Sequence, residues 1–277
     1  MSVISNTRLR GTLTIEEFQS SREVDGELDL PLAAAQILKI FQMEQWNINA
    51  KVDVTRTEVG GELEVNGILT IDAALAKYEG FQYPLHDVKS TIKFHQDEIH
   101  IVFLQARGSG DSTVHISGDI QAAKDFLDVH LHLHVEDAPL DKILHDVVDD
   151  QFAYVMERLL DVDALNKVSA VLPNTYGQTF SLGGKVDLDL ELKHDSRVGD
   201  NVDISGSISF KNIGIVHEVF PYPVTLQDGT ILLDKTGLRI KDGSAVRFEG
   251  AGGGSGTIEG HISFLESVVA SPELTLS

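Results

Sequence analysis

The chain has 277 residues, 22 Lys and Arg against 43 Asp and Glu for a net charge of −21, and no cysteine. At roughly 100–200 residues per domain, this length forms one large or two ordinary domains without staples, and the missing cysteines exclude disulfides, thiolate metal sites and cysteine nucleophiles. The acidic charge is spread along the chain with no basic patch, which excludes a nucleic-acid partner and disfavours steady docking on an anionic membrane face, because phosphates repel such a surface.

Taken in order, the N-terminal MSVISNTRLRG lacks the apolar core of a signal peptide. No run of about 18 apolar residues is present to span a bilayer, so the chain reads as soluble or as a piece of a protein anchored elsewhere. GTLTI (11–15) alternates apolar and polar and predicts a strand. GELDLPL (26–32) ends a strand and leads into PLAAAQILKIFQMEQW (31–46), where apolar spacings of three and four after a proline predict a helix. VGGELEV (59–65) opens another strand. EGFQYPLHDVKSTIKFHQDEIHI (79–101) reads as a Phe-x-Tyr-Pro turn followed by two strands, and STVHISGDI (112–120) as a strand with a central glycine. DVHLHLHVED (128–137) is a strand with two unlike faces: Asp128, His130, His132, His134 and Glu136 on one, Val129, Leu131, Leu133 and Val135 on the other. Residues 139–172 carry helical spacing from Pro139 to a stop near Pro173 and predict one or two helices. KVDLDLELK (185–193) returns to strict alternation, with Val186, Leu188, Leu190 and Leu192 on the apolar side.

The chain also repeats itself. At an offset of 139, residues 79–101 fall on EVFPYPVTLQDGTILLDKTGLRI (218–240), with Phe81 on Phe220, Tyr83 on Tyr222, Pro84 on Pro223 and Ile92 on Ile231. ISGDI (116–120) answers IEGHI (258–262), with the extra residues assigned to the AGGGSG loop (251–256). GELDLPL answers VEDAPL (135–140), and VGGELEV answers LGGKVDL (182–188). The expected organisation is the close of a preceding unit over 1–25, a first unit over 26–134 with its helix at 31–46, a second over 135–264 with helices at 139–172, and the start of a truncated third over 265–277.

Several chemistries compete for these residues. His-x-His on a strand can chelate zinc, with His115 or His100 as a further ligand. The same face is occupied by Lys185, Asp187, Asp189, Glu191 and Lys193 in KVDLDLELK, so the histidine positions read as a solvated face and no metal site or cofactor is assigned. AGGGSG lacks the Lys-Ser/Thr ending of a phosphate loop, and GGSGT (253–257) sits between strands, out of context for a nucleophile elbow. No catalytic residues are assigned. Phe-x-Tyr-Pro reads as a turn in which proline fixes φ. An apolar sheet face must be covered by a second sheet, by helices or by a ligand. Alternation alone leaves a closed sandwich and an open trough both standing.

The succession of DAPLDKIL (137–144), LPNTYGQTFSLGGKVDLDLEL (172–192), GFQYPLHDVKSTIKF (80–94) and FPYPVTLQDGTILLD (220–234) resembles the AsmA-like, TamB- and YhdP-like proteins of bacterial envelopes. These belong to the repeating β-groove superfamily of bridge-like lipid-transfer proteins. The resemblance implies a mainly β fold with a few helices, a curved antiparallel taco-like sheet built from tandem repeats. It implies a non-enzymatic segment that conducts phospholipid or other acyl-chain lipids between inner and outer membrane, in the periplasm, within a parent anchored in the inner membrane and beside neighbouring repeat units. The apolar file of Val114, Ile116, Val129, Leu131, Leu133, Val135, Val186, Leu188, Leu190 and Leu192 is then the expected groove lining. The alternatives are an adhesive array of closed sandwiches that binds proteins, and more remotely a metalloenzyme using His130, His132 and His134.

Overall fold

A computed structural model describes residues 7–16, 41–56, 64–78, 81–123, 126–140, 182–199, 202–216, 222–241, 245–263 and 271–276. These residues form antiparallel β structure, with a single short 3-10 turn at Ser109–Asp111 and no α-helix among them. Two compact units divide the chain: Met1–Gly108 with Thr113–Leu133 and Leu192–Val202, and Ser109–Ser112 with His134–Glu191 and Asp203–Ser277.

In the first unit, β1 (Thr7–Glu16), β2 (Phe41–Arg56), β3 (Glu64–Tyr78), β4 (Phe81–His95), β5 (Glu98–Arg107) and β6 (Thr113–Ala123) pair in chain order, each antiparallel to the next. It also holds the first part of β7 (Phe126–Pro139) and the last part of β8 (Lys185–Asp195), which neighbour each other. The alternation written in the sequence places Leu69, Ile71, Ile92, Phe94, Ile99 and Ile101 in the core, while Thr70, Lys93 and His100 lie exposed.

The alternation does not run unbroken. Buried positions on β3 pass from Ala73 to Ala76, and on β4 from Leu85 to Val88, so both strands slip by one residue. The slip lies on one line across the sheet, where Gln45 of β2 (φ 48°) and Asp87 of β4 (φ 50°) adopt left-handed backbone. Because the strands slip together, the β2–β3 register is the same on both sides, pairing Met43 with Ala76 and Trp46 with Ala73. Arg107 donates to the Asp87 carboxylate and holds this bend from β5. β5 has its own bulge, where Val102 interrupts the ladder to β4 and Val102 with Phe103 that to β6, and the buried Ser90 hydroxyl donates to the Phe103 carbonyl at 2.9 Å.

This line corrects the helix expected at 31–46. Residues 41–46 are the start of β2, and 31–40 lie outside the described residues. Phe41 and Met43 alternate on one side of Gln45, and Trp46, Ile48 and Ala50 on the other. The left-handed residue between them creates a spacing of three that imitates a helical turn. Of the helices expected at 139–172, residues 141–172 lie outside the described residues, while Pro139 closes β7 and the Leu140 backbone N–H donates to the Gly184 carbonyl at 2.9 Å.

In the second unit, β8 is followed by β9 (Asp203–Ile215) and β10 (Val224–Asp234). β11 (Gly237–Ile240) and β12 (Val246–Gly250) each pair with both β10 and β13 (Ser255–Ser263), so they occupy one strand position in two pieces. β14 (Ser271–Leu276) pairs with β13. Asn212 (φ 54°) marks a slip on β9, between buried Phe210 and Ile213.

Aromatic rings cover glycines in both units. Phe94 stands opposite Gly67, and a Cβ there would lie 2.6 Å from its ring; Phe210 stands opposite Gly229 in the same way, at 2.8 Å. Tyr222 covers Gly250 and accepts a hydrogen bond from Gly252 N at 2.8 Å. A strand glycine has no side chain to bury, so the cross-strand ring supplies the missing apolar contact.

Candidate functional site

The apolar file expected to line a groove divides between the two units. In the first, Val114 of β6 is buried, whereas Ile116, Val129, Leu131, Leu133 and Leu192 are half-buried. Gly118 of β6 has φ 141°, and a Cβ on it would lie 2.2 Å from the His130 carbonyl oxygen. Only glycine admits both the backbone conformation and this approach of β7. In the second unit, Val135, Val186 and Leu188 are buried to 4%, 2% and 8% exposure, and Leu190 is half-buried. Gly206 of β9 (φ 150°) admits β8 as Gly118 admits β7, its missing Cβ 2.0 Å from the Asp189 carbonyl oxygen. Burial therefore falls along β8 from Val186 to Leu190.

The opposite face is polar throughout. His130, His132 and Glu136 are exposed on β7, as are Lys185, Asp187, Asp189, Glu191 and Lys193 on β8. His134 lies between two carboxylates, Nε2 3.4 Å from Glu136 and Nδ1 3.6 Å from Asp189. His100 Nδ1 lies 2.6 Å from Asp119 on the neighbouring strand. Histidines here are partnered by carboxylates across and along the strands. Among the described residues no group of three His, Asp or Glu side chains is placed to hold a metal ion. No helix among them is long and apolar enough to cross a membrane.

The polar ends of β7 and β8 are fastened. In the second unit Asp187 accepts from the Asp137 backbone N–H at 2.9 Å, and Lys185 lies 3.3 Å from Asp137, whose φ of 58° re-aims the strand end. In the first, Arg197 donates to Asp195 and Asp128 while its guanidinium lies 4.4 Å above the Phe126 ring. The hydrogen bonds from Arg197 hold the Asp195 carboxyl below its ordinary range and push the guanidinium up. Sequence reading passed over this clasp, although Asp195 and Arg197 in HDSR are two residues apart, a spacing typical of an Asx turn.

No protein-family model, curated protein or solved structure matches the chain.

Proposed function

We propose that this chain is a non-enzymatic segment of an AsmA-like envelope protein, built from tandem β units, whose apolar sheet face binds and conducts acyl-chain lipids between the inner and outer membranes. The observation that carries the lipid reading is the one-sided character of β6, β7 and β8. Ile116, Val129, Leu131 and Leu133 are half-exposed on the apolar side, while charged side chains and histidines hold the other. Apolar surface gains about 25 cal/mol per Å² when water is replaced by hydrocarbon, and an acyl chain supplies that replacement along a file of aliphatic side chains.

The tandem organisation is supported by strand pairing. The β3–β4 register pairs Leu69 with Ile92, Ile71 with Ser90 and Asp72 with Lys89. The β9–β10 register pairs Ile208 with Ile231, Phe210 with Gly229 and Lys211 with Asp228, each residue advanced by 139, with the charges of the last pair exchanged. The following hairpins pair Ile92 with Ile101 and Ile231 with Ile240 at the same offset. Beyond that point Leu104 with Ile116 answers Val246 with Ile258, and Gly118 (φ 141°) answers Gly260 (φ 139°), at an offset of 142. The three added residues therefore fall between β11 and β12, opposite the β5 bulge, and AGGGSG has the same length as its counterpart.

A second reading is favoured by the deep burial of Val114, Val135, Val186 and Leu188: a dry core in which the same file packs against protein. Native mass spectrometry after incubation with phospholipid vesicles distinguishes the two. The lipid reading expects phospholipid adducts that survive desolvation and decline when Leu131 and Leu133 are replaced by Ser. Absence of adducts from the wild-type chain favours the dry core.

A further inference from the structure

Among the described strands, β1 pairs only with β2 and β14 pairs only with β13, whereas β7 lies between β6 and β8. The three strands carry one pattern. Leu13-Thr14-Ile15 of β1, Leu131-His132-Leu133 of β7 and Leu274-Thr275-Leu276 of β14 each place two aliphatic residues around one polar residue. Their places in the sheet also correspond. Leu274 stands opposite Gly260 of β13, and the β7 backbone of His130 and Leu131 lies against Gly118 of β6, the equivalent glycine, whose missing Cβ would fall 2.2 Å from the His130 carbonyl oxygen and 2.9 Å from Leu131 Cα. In β1, Leu13 and Ile15 stand at the register positions of the buried Ala50 and Ile48 of β2. β7 thus demonstrates a strand of this type paired on both edges at once, which among the described strands neither β1 nor β14 is.

We propose that the edge of β1 that no described strand pairs binds a second copy of this chain, β1 of one copy taking the place of β14 on β13 of the next. Superposing Leu13 on Leu274 and Ile15 on Leu276 fixes the register: Ile258 faces Ile15, Gly260 faces Leu13, His261 faces Thr12 and Ile262 faces Gly11. Ile15 thereby takes the register position beside Ile258, itself the register partner of buried Val246. A one-residue slip would reverse every side chain, so the registers one residue away do not compete. β14 covers six of the nine residues of β13, from Ile258 to Ser263. The ten-residue β1 continues the ladder to Thr257, opposite Glu16. Exchange swaps one ladder for a slightly longer one and pairs an edge that no described strand occupies, the condition under which strand swapping is cheap. The contact is head-to-tail, so it propagates along a row of copies instead of closing on itself as a two-fold contact would. This inference does not depend on lipid.

The absence of native cysteine makes the register directly testable. Thr12→Cys and His261→Cys single variants are mixed and oxidised, and disulfide partners are read by mass spectrometry. The exchange predicts a mixed disulfide joining the 12 position of one copy to the 261 position of another. Only symmetric disulfides, or no mixed species above that of a Lys51→Cys and His261→Cys mixture, would overturn it. A His261→Cys, Glu273→Cys variant, whose two positions are register partners, locks β14 in place once oxidised. In sedimentation velocity the unlocked chain is expected to show concentration-dependent association and the locked chain to lose it. A wild-type chain that stays monomeric across the range, or a locked chain that associates equally well, refutes the proposal.

Discussion

Gly206 shows how a single residue can decide whether two strands approach. Its φ of 150° is open to glycine and poorly accessible to other residues, and any Cβ would fall 2.0 Å from the Asp189 carbonyl oxygen. Gly206→Ala is therefore expected to cost about 2 kcal/mol or more, since the backbone must shift as well as strain. Gly199→Ala, in a turn with open space around it, should stay within about 0.5 kcal/mol. Urea midpoints measured on both variants check the contrast. A second residue-scale expectation concerns acid. Asp234 accepts hydrogen bonds from the Thr236 side chain and backbone N–H, which hold its carboxyl below the ordinary range near 3.9. A depressed folded value contributes stability that is complete above the unfolded value and lost as pH falls through the folded one. NMR titration should place the Asp234 midpoint below that of an unstructured aspartate. Asp234→Asn should reduce the acid sensitivity of unfolding below about pH 4 and leave its pH dependence between 6 and 8 unchanged. On the polar face of β7, replacing the exposed His130 and His132 and the half-buried His134 by Asn should shift the melting temperature little, because surface substitutions of this kind stay within about 0.5 kcal/mol each. Differential scanning calorimetry with and without added zinc tests that expectation, and zinc-dependent stabilisation lost in the triple variant would contradict it.

At the scale of elements, most strands were legible because their alternation is strict. KVDLDLELK and DVHLHLHVED announce both their conformation and their two faces: the apolar residues of each are buried or half-buried, and the polar ones from 130 to 136 and from 185 to 193 are exposed, except half-buried His134. β2 was not legible over residues 41–46. Its slip at Gln45 is a left-handed residue that period-two reading cannot anticipate, and three strands share the bend only after they pair. The Gly-Gly likeness misled for a related reason. It set β3 beside β8, whereas the tandem proposal matches β3 with β9 by the offset their registers share. Registers were invisible before strands were paired. The aromatic and glycine pairs could have been found earlier, because Phe94 and Gly67, like Phe210 and Gly229, fall opposite one another once a hairpin register is drawn. Phe94→Ala should cost about 3–5 kcal/mol, since it both empties a buried site and uncovers Gly67. Thermal unfolding of that variant beside Phe103→Ala, whose ring is 45% exposed, should show a far smaller loss for the second.

For the whole molecule, the acidic charge, the strand periodicity and the repeated hairpin were readable from residues alone, and the covering of the apolar file was not. Alternation reports that a face is apolar; it carries no information on whether protein or lipid lies against it. The lipid proposal makes opposite forecasts for adjacent residues of one strand, which a dry core does not. The most direct measurement places a photoreactive amino acid at position 131 in one variant and at position 132 in another. Each variant is incubated with phospholipid vesicles, irradiated and analysed for covalent lipid by mass spectrometry. Lipid attached at 131 and not at 132 is the predicted result. Equal labelling at the two positions, or none at 131 in a folded chain, would contradict a lipid-conducting face.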